Sequence, residues 1–143
     1  MSETDARREL IATTWAAAWD AGDVDALDSL LGPDYRRRAH ASDEGQDLAE
    51  FKASIIATRS AFPDLSTTID EIVVEGDRAS VRWHSHGRHD HPFLGVPPTH
   101  REVRVSGATF AHFRDGRVVE EFVTWDPRSL LSALGIITVG QDG

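Results

Sequence analysis

The chain has 143 residues, of which 40 % are apolar and 27 % charged, proportions that are ordinary for a single globular domain spanning 1–143. It contains no cysteine, which excludes disulfides, zinc–thiolate sites, iron–sulfur clusters and thiol nucleophiles. The net charge of −9 disfavours nucleic acid, and no apolar run approaches the roughly 20 residues of a membrane span. We therefore expect a cytoplasmic protein with no nucleic-acid partner and no membrane partner.

The first half of the chain predicts three helices, with a short strand between the second and the third. Apolar residues recur at spacings of three and four in each helical segment. Asp47, with Glu50 three residues later, is the capping-box pattern at the start of the third helix. The predicted segments are a helix over Thr4–Asp20, a helix from Asp23 to Leu31 ended by Gly32-Pro33, a strand over Asp34–His40, and a helix from Asp47 that stops before Pro63.

The second half predicts two β-hairpins and a closing helix. Alternating apolar residues replace the helical period after Thr67, and Gly76-Asp77 and Asp115-Gly116 supply two-residue turns. A loop rich in proline and apolar residues lies between the hairpins. The predicted segments are strands over Thr67–Glu75, Arg78–His89, Arg101–Arg114 and Arg117–Trp125, a loop over Pro92–Thr99 and a helix over Pro127–Leu134. Helices followed by a four-strand antiparallel meander indicate the α+β class, with the sheet wrapped around the helices.

The last strand carries the mixture of residues expected for a pocket wall. Alternation places Phe122, Thr124 and Asp126 on one face, together with Val118 and Glu120. A carboxylate beside aromatic residues can be desolvated and can exchange protons with an enol or a phenol. Asp126 is therefore the leading acid–base candidate. Because it precedes a proline at the first helical position, it also fits a plain helix N-cap.

A His-rich tract, His84–His91, raises the question of a metal site. Strand alternation splits its imidazoles between two faces, and neighbouring arginines repel a cation, so we expect no metal. His89 falls on the pocket side, where it is a candidate to hydrogen-bond a substrate oxygen. Trp83 and Phe93 are candidate pocket walls, because planar ligands stack on such side chains, and Trp15 of the first helix is a further candidate for substrate contact.

Four stretches resemble the SnoaL-like polyketide cyclase and hydroxylase family, of the nuclear-transport-factor-2-like superfamily. The similarity covers roughly residues 5 to 137. It rests on Ala61-Phe62-Pro63-Asp64-Leu65, on Gly87-Arg88-His89 with Phe93-Leu94-Gly95-Val96-Pro97-Pro98-Thr99, on Ser106-Gly107, and on Asp115-Gly116-Arg117-Val118-Val119-Glu120 with Trp125-Asp126 and Leu130-Leu131 to Leu134-Gly135.

The resemblance implies a cone-shaped fold, a homodimer and a planar, polyketide-like substrate from antibiotic-type biosynthesis. In ring-closing members an Asp stands immediately before the strand-end Trp, and here that position is Thr124. The family's Gln and His fall on Thr109 and Ala111, neither of which titrates usefully. These departures favour cofactor-free hydroxylation, with Asp126 as acid or base and Thr124 and Thr109 as hydrogen-bond partners. Since no redox cofactor is expected to be bound, hydroxylation calls for an external reductant or a partner reductase.

Three alternatives remain open from the sequence. One is a ring-closing cyclase working by intramolecular aldol condensation, with Asp126 in a displaced role. The second is a non-catalytic small-molecule-binding or dimerisation module, and the third is a metal enzyme.

Overall fold

The computed structural model describes residues 2–136, which form an α+β fold of helices packed on one face of a curved sheet. Within these residues no helix is long and apolar enough to cross a membrane. The helices are α1 (Glu3–Trp15), continued by a π-helical segment (Ala16–Asp20), a 3₁₀ helix (Val24–Ser29), α2 (Leu48–Ala61) and α3 (Pro127–Ala133). The strands are β1 (Leu31–Arg38), β2 (Ser66–Glu75), β3 (Arg78–Arg88), β4 (Glu102–Arg114) and β5 (Arg117–Trp125).

The sheet has the strand order β1-β5-β4-β3-β2. Strands β2 to β5 form the antiparallel meander that the sequence predicts, with both two-residue turns at the predicted glycines. The capping box of α2 is also present: the Asp47 N–H donates to the Glu50 carboxylate at 3.1 Å, and the Glu50 N–H donates to the Asp47 carboxylate at 2.8 Å. The predicted fold class is confirmed.

The region around β1 differs from the prediction. The predicted helix from Asp23 to Leu31 is a 3₁₀ helix that ends at Ser29, and Gly32-Pro33 lies inside β1. β1 begins at Leu31 and pairs in parallel with β5, which makes the sheet five-stranded. Proline is tolerated there because β1 is an edge strand, whose outer N–H groups have no ladder partner.

The main core lies between the helices and the inner face of the sheet. A second, smaller apolar cluster lies under the loop between β3 and β4 and against α3. The large side chains buried in the main core are Ile11, Leu27, Leu30, Tyr35, Ile55, Val81, Phe113 and Val118. Between the two clusters the fold leaves a space that its own side chains do not fill.

Candidate functional site

A cavity of about 310 Å³ opens between the helices and the inner face of the sheet, and we call it the central cavity. Its aromatic lining consists of Trp15, Trp19, Phe62, Trp83, Phe93 and Trp125. Its polar lining includes Arg37, Gln46, Ser54, Thr58, Thr67, Ser85 and His86. Three residues predicted from sequence to contact a substrate, Trp15, Trp83 and Phe93, therefore lie in its wall.

The helical wall owes its shape to the change from α- to π-helix after Trp15. Trp15 and Trp19 both line the cavity from this wider turn, which is a geometry often found at functional sites. The Trp19 carbonyl accepts a 2.6 Å hydrogen bond from the Arg59 guanidinium of α2. The Asp20 carboxylate accepts one from the Thr67 N–H at 2.8 Å. The Arg59 side chain of α2 and the Thr67 backbone N–H of β2 thus hold the end of this helical segment in place.

The sheet wall is a row of three residues on adjacent strands, in which Trp83 of β3 pairs with Gly107 of β4 and Gly107 pairs with Trp125 of β5. The Trp83 indole N–H donates to the hydroxyl of Thr109 at 3.1 Å, and this bond fixes the plane of the ring. A Cβ at Gly107 would lie 2.6 Å from the Trp83 ring and 2.9 Å from the Trp125 Cβ. Glycine is therefore required between the two indoles. Thr109 is fully buried and holds Trp83 without itself lining the cavity.

The prediction for the face of β5 is wrong. The pairing of β4 with β5 shifts by one residue between Phe113–Val118 and His112–Glu120, so that Val119 is an extra, bulged residue. The bulge inverts the alternation: Val118 is in the core, but beyond it Glu121 and Val123 are buried and Trp125 lines the cavity.

The residues placed on the pocket side by the unbulged pattern lie on the outer face of the sheet. Phe122 pairs with the half-exposed Phe110, and Thr124 is exposed opposite Ala108. Neither Phe122 nor Thr124 is part of the cavity wall.

Asp126 is the N-cap of α3. Its carboxylate accepts a hydrogen bond from the Arg128 N–H at 2.9 Å, and its side chain is 52 % exposed. It lies between two lining residues, Trp125 and Leu130, without lining the cavity itself. Capping accounts for this geometry, and the acid–base role of Asp126 stays a prediction.

His89 is fully buried, stacked on Phe62 with the ring centroids 5.4 Å apart. Its Nδ1 accepts a hydrogen bond from the Thr99 N–H at 3.2 Å, which places the proton on Nε2. Within residues 2–136, Nε2 has no hydrogen-bond partner. Because Phe62 lines the cavity and His89 does not, the imidazole supports the wall; its predicted contact with a substrate oxygen stays a prediction.

A buried polar cluster beneath the cavity escaped the sequence reasoning. Arg37 of β1 lines the cavity, and its guanidinium carbon lies 4.3 Å from the centre of the Phe51 ring. Its Nη1 is 3.4 Å from Oε1 of Glu121, and the Tyr35 hydroxyl donates a hydrogen bond to the same oxygen. The available signal was the alternation of Tyr35 and Arg37 in a predicted strand, which puts both on one face.

Burial controls the protonation of this cluster. It raises the pKa of Glu121, against the lowering effect of the Arg37 charge and of the hydrogen bond from Tyr35. Burial and then the neighbouring Glu121 charge raise the pKa of Tyr35 well above its usual value, so Tyr35 remains a neutral donor.

The His-rich tract lies partly on the outer face, where Nδ1 of His84 is 2.9 Å from the Asp70 carboxylate. Within residues 2–136 no group of three or more His, Asp or Glu side chains is arranged to hold a metal ion.

The sequence model of the SnoaL-like polyketide cyclase family matches residues 9–134. The chain belongs to this family. The resemblance seen in the sequence motifs is thereby confirmed, and members of the same fold are found among solved structures. No curated protein sequence matches the chain.

Three solved structures from Streptomyces species cover nearly the whole SnoaL-like domain. TsrD from Streptomyces laurentii is 31 % identical, with a TM-score of 0.82, over 96 % of this chain and 99 % of TsrD. AclR from Streptomyces galilaeus, a proposed hydroxylase, is 28 % identical, with a TM-score of 0.82, over 94 % of this chain and 88 % of AclR. IdmH from Streptomyces antibioticus, a proposed polyketide cyclase, is 29 % identical, with a TM-score of 0.75, over 90 % of this chain and 98 % of IdmH.

Proposed function

We propose that this SnoaL-like protein is a polyketide-tailoring enzyme that hydroxylates a flat, enolisable aromatic intermediate in the central cavity. The observation that carries the proposal is the combination of flat aromatic walls with the guanidinium of Arg37 in one cavity of about 310 Å³. That volume lies at the lower end of the range for small-molecule sites. The family and its hydroxylase and cyclase neighbours support a tailoring role of this kind.

The walls suit a planar guest. Trp83 and Trp125 present indoles from the strands on either side of Gly107, and Trp15 and Trp19 face the cavity from the helical side. Aromatic faces bind a flat conjugated ring system by offset stacking and by burial of apolar area. A saturated or branched ligand of the same volume would fill such a slot less well.

Arg37 supplies the electrostatics of the proposed reaction. Deprotonation of a phenol or a β-dicarbonyl places negative charge on oxygen, and a fixed cation in a water-poor site stabilises such a charge far more than the same cation does in water. The Phe51 ring beneath the guanidinium and the salt bridge to Glu121 limit the movement of Arg37. The guanidinium is thus in place before the charge develops.

The proposed hydroxylation converts a C–H bond of the substrate enolate into C–OH with one molecule of O₂. One oxygen atom enters the product and the other leaves as water, which consumes two electrons and two protons. We propose that an external reductant or a partner reductase delivers the two electrons. In a second form of the proposal Asp126 exchanges the substrate proton, with Thr124 of β5 as a hydrogen-bond partner, and the Asp126→Asn variant separates the two forms.

Ring closure by intramolecular aldol condensation is the second candidate, favoured by the description of the matching family and by the likeness to IdmH. It uses the same enolate but requires no oxygen. A non-catalytic binding module would hold the ligand and convert nothing.

Oxygen dependence separates these functions. The purified protein would be incubated with anthrone, a tricyclic carbon acid, and with a linear aromatic polyketone ester, under ¹⁸O₂ and under nitrogen, with and without a nicotinamide-dependent reductase. Hydroxylation predicts product that carries ¹⁸O and forms only under oxygen. If the ring closes at the same rate under nitrogen, the proposed hydroxylation is wrong and the protein is a cyclase. Saturable ligand binding without any product would indicate a non-catalytic binding module.

Arg37→Met and Arg37→Lys form the matched pair for the cation. Methionine keeps much of the packing on Phe51 but removes the charge, so we expect a loss of turnover of about 10- to 100-fold, the size of one charge-assisted hydrogen bond. Lysine keeps the charge without the guanidinium fork and should retain more activity. Equal activity of Arg37→Met and the unmodified protein would remove Arg37 from the reaction.

A homodimer through the outer face of the sheet is also proposed. Phe110 is 48 % exposed there and pairs with Phe122 on the neighbouring strand, which leaves an apolar surface away from the cavity. Light scattering after gel filtration should give twice the 15.8 kDa chain mass, and Phe110→Glu should give a monomer. A monomer before any substitution would refute the dimer.

A further inference from the structure

The Arg37–Glu121 contact is a buried ion pair whose cationic end faces the cavity. The two residues are direct partners in the parallel ladder of β1 and β5. Glu121 is 3 % exposed, whereas Arg37 reaches the cavity wall. The distance of 3.4 Å between Nη1 of Arg37 and Oε1 of Glu121 exceeds the 2.7–2.9 Å typical of charge-assisted hydrogen bonds, so the ion pair is long.

The surroundings of Glu121 contain little other charge. From β1 it faces Tyr35 and Arg37, whereas β4 places Ala111 opposite it and α2 contributes Phe51 above the two β1 side chains. Tyr35 is a neutral donor, so the charge balance of the cluster depends on Arg37 and Glu121 alone. An ionised Glu121 cancels the Arg37 charge, and a protonated Glu121 leaves it uncompensated.

An anionic ligand oxygen at Arg37 would place two negative charges around one cation in a water-poor site. The like charges disfavour each other, and the more readily protonated of them takes up a proton. Burial already raises the pKa of Glu121, which makes this carboxylate the acceptor. The proton need not come from the ligand, since Glu121 does not line the cavity.

We propose that Glu121 is a positioning residue whose protonation sets the charge that Arg37 presents, so that the central cavity binds a planar anionic ligand together with one proton. The ligand class is a flat aromatic carboxylate, in preference to a neutral polyketone of the same shape. This inference rests on the proposed function for the cavity itself and adds the charge of the ligand and the linkage to pH.

Isothermal titration calorimetry with an anthraquinone carboxylate and its neutral primary amide tests the inference. The probe carboxylate stays ionised above about pH 5, so the pH dependence of its binding reports the protein. In two buffers of different ionisation enthalpy, the carboxylate should bind with uptake of about one proton. Its affinity should fall up to about tenfold per pH unit once Glu121 ionises in the free protein. The amide should bind without proton uptake and with an affinity independent of pH.

Glu121→Gln and Tyr35→Phe separate the linkage from a structural role. Glutamine cannot ionise, so Glu121→Gln should bind the carboxylate without proton uptake and with an affinity that stays at the low-pH level. Loss of the Tyr35 hydrogen bond raises the pKa of Glu121, so Tyr35→Phe should retain carboxylate binding to higher pH than the unmodified protein. If Glu121→Gln does not fold by circular dichroism, the upward shift in Tyr35→Phe carries the test.

Five outcomes overturn the inference. Carboxylate binding that is independent of pH in the unmodified protein removes the linkage, as does unchanged proton uptake in Glu121→Gln or an unshifted profile in a folded Tyr35→Phe. Binding of the amide but not of the carboxylate at any pH refutes the anionic ligand class and leaves the proposed function standing. If neither probe binds, the central cavity is not a site for flat ligands, and both the proposed function and this inference are refuted.

Discussion

Replacing Gly107 with alanine tests whether the row of Trp83, Gly107 and Trp125 determines the shape of the cavity. A Cβ on Gly107 would lie 2.5 Å from the carbonyl oxygen of Thr124 and 2.6 Å from the Trp83 ring. The carbonyl belongs to β5, which is paired with β4 at this position, so it cannot move freely. The strain must therefore be relieved partly by a tilt of the Trp83 indole.

The expected cost follows from the size of the clash. Overpacking by one methyl group costs about 1–3 kcal/mol, and the lower backbone entropy of unfolded alanine returns about 0.4–1 kcal/mol. We expect Gly107→Ala to lose about 1–2 kcal/mol of unfolding free energy. Gly32→Ala is the matched control, because a Cβ there meets its nearest atoms, the Val118 carbonyl and the Arg117 side chain, at 3.6 and 3.7 Å. Both glycines are in strands without positive φ, and the control should be neutral or slightly stabilising.

Urea unfolding followed by circular dichroism gives both free energies, with unchanged m-values as the check for two-state behaviour. Calorimetry with the anthraquinone amide reports the cavity, and we expect weaker binding for Gly107→Ala than for Gly32→Ala. If the two variants are equally stable and bind the amide equally well, a side chain at position 107 does not displace the indoles, and the proposed role of Gly107 is refuted.

Three further predictions follow from single contacts. Asp126→Asn should keep both stability and turnover, since asparagine caps a helix about as well as aspartate; thermal melting and turnover measure this, and a folded but inactive variant would assign proton transfer to Asp126. Asp47→Ala should cost about 1 kcal/mol in urea unfolding, because it removes the capping box that Asp47 forms with Glu50. Burial raises the pKa of Glu121 above its ordinary value of 4.5, so the folded state keeps the proton to higher pH than the unfolded chain. The corresponding stability is complete below that ordinary value and is lost as the pH rises through the folded-state pKa. The unfolding free energy of the unmodified protein should therefore fall relative to Glu121→Gln across this window, and parallel curves would contradict the assignment.

The hairpins and α2 were predictable because their signals are local. Asp115-Gly116 adopts the two positive φ angles, 52° and 82°, that a tight hairpin turn requires. The Asp47–Glu50 capping box likewise needs only four consecutive residues. Both features depend on contacts between neighbours in the chain, which a single sequence displays.

The features that were predicted wrongly or missed depend on pairing between segments that are distant in the chain. The bulge at Val119 exists because β5 pairs with β4 at one register near the turn and at another beyond it. Alternation in β5 alone carries no trace of that shift, and a one-residue slip exchanges the two faces. The parallel contact of Arg37 with Glu121 joins residues 84 positions apart and depends on β1, whose edge position no local pattern predicts.

The placement of the ionisable groups gives a last prediction about the reaction. Among the residues that the structure describes, the cavity lining contains no carboxylate; its permanent charge is the Arg37 cation, and His86 is the lining residue that could act as a base. A general base must come within hydrogen-bond reach of the proton it removes, whereas a cation assists only an ionisation for which the substrate is already acid enough. The pH–rate profile should therefore follow the acidity of the substrate: an electron-withdrawing ring substituent that lowers the pKa of the substrate by one unit should move the profile down by about one unit. A protein base within reach would instead hold the profile at the pKa of that base for every substrate, and a profile of that kind would reject catalysis by Arg37 alone and favour a base such as His86 of the lining or Asp126.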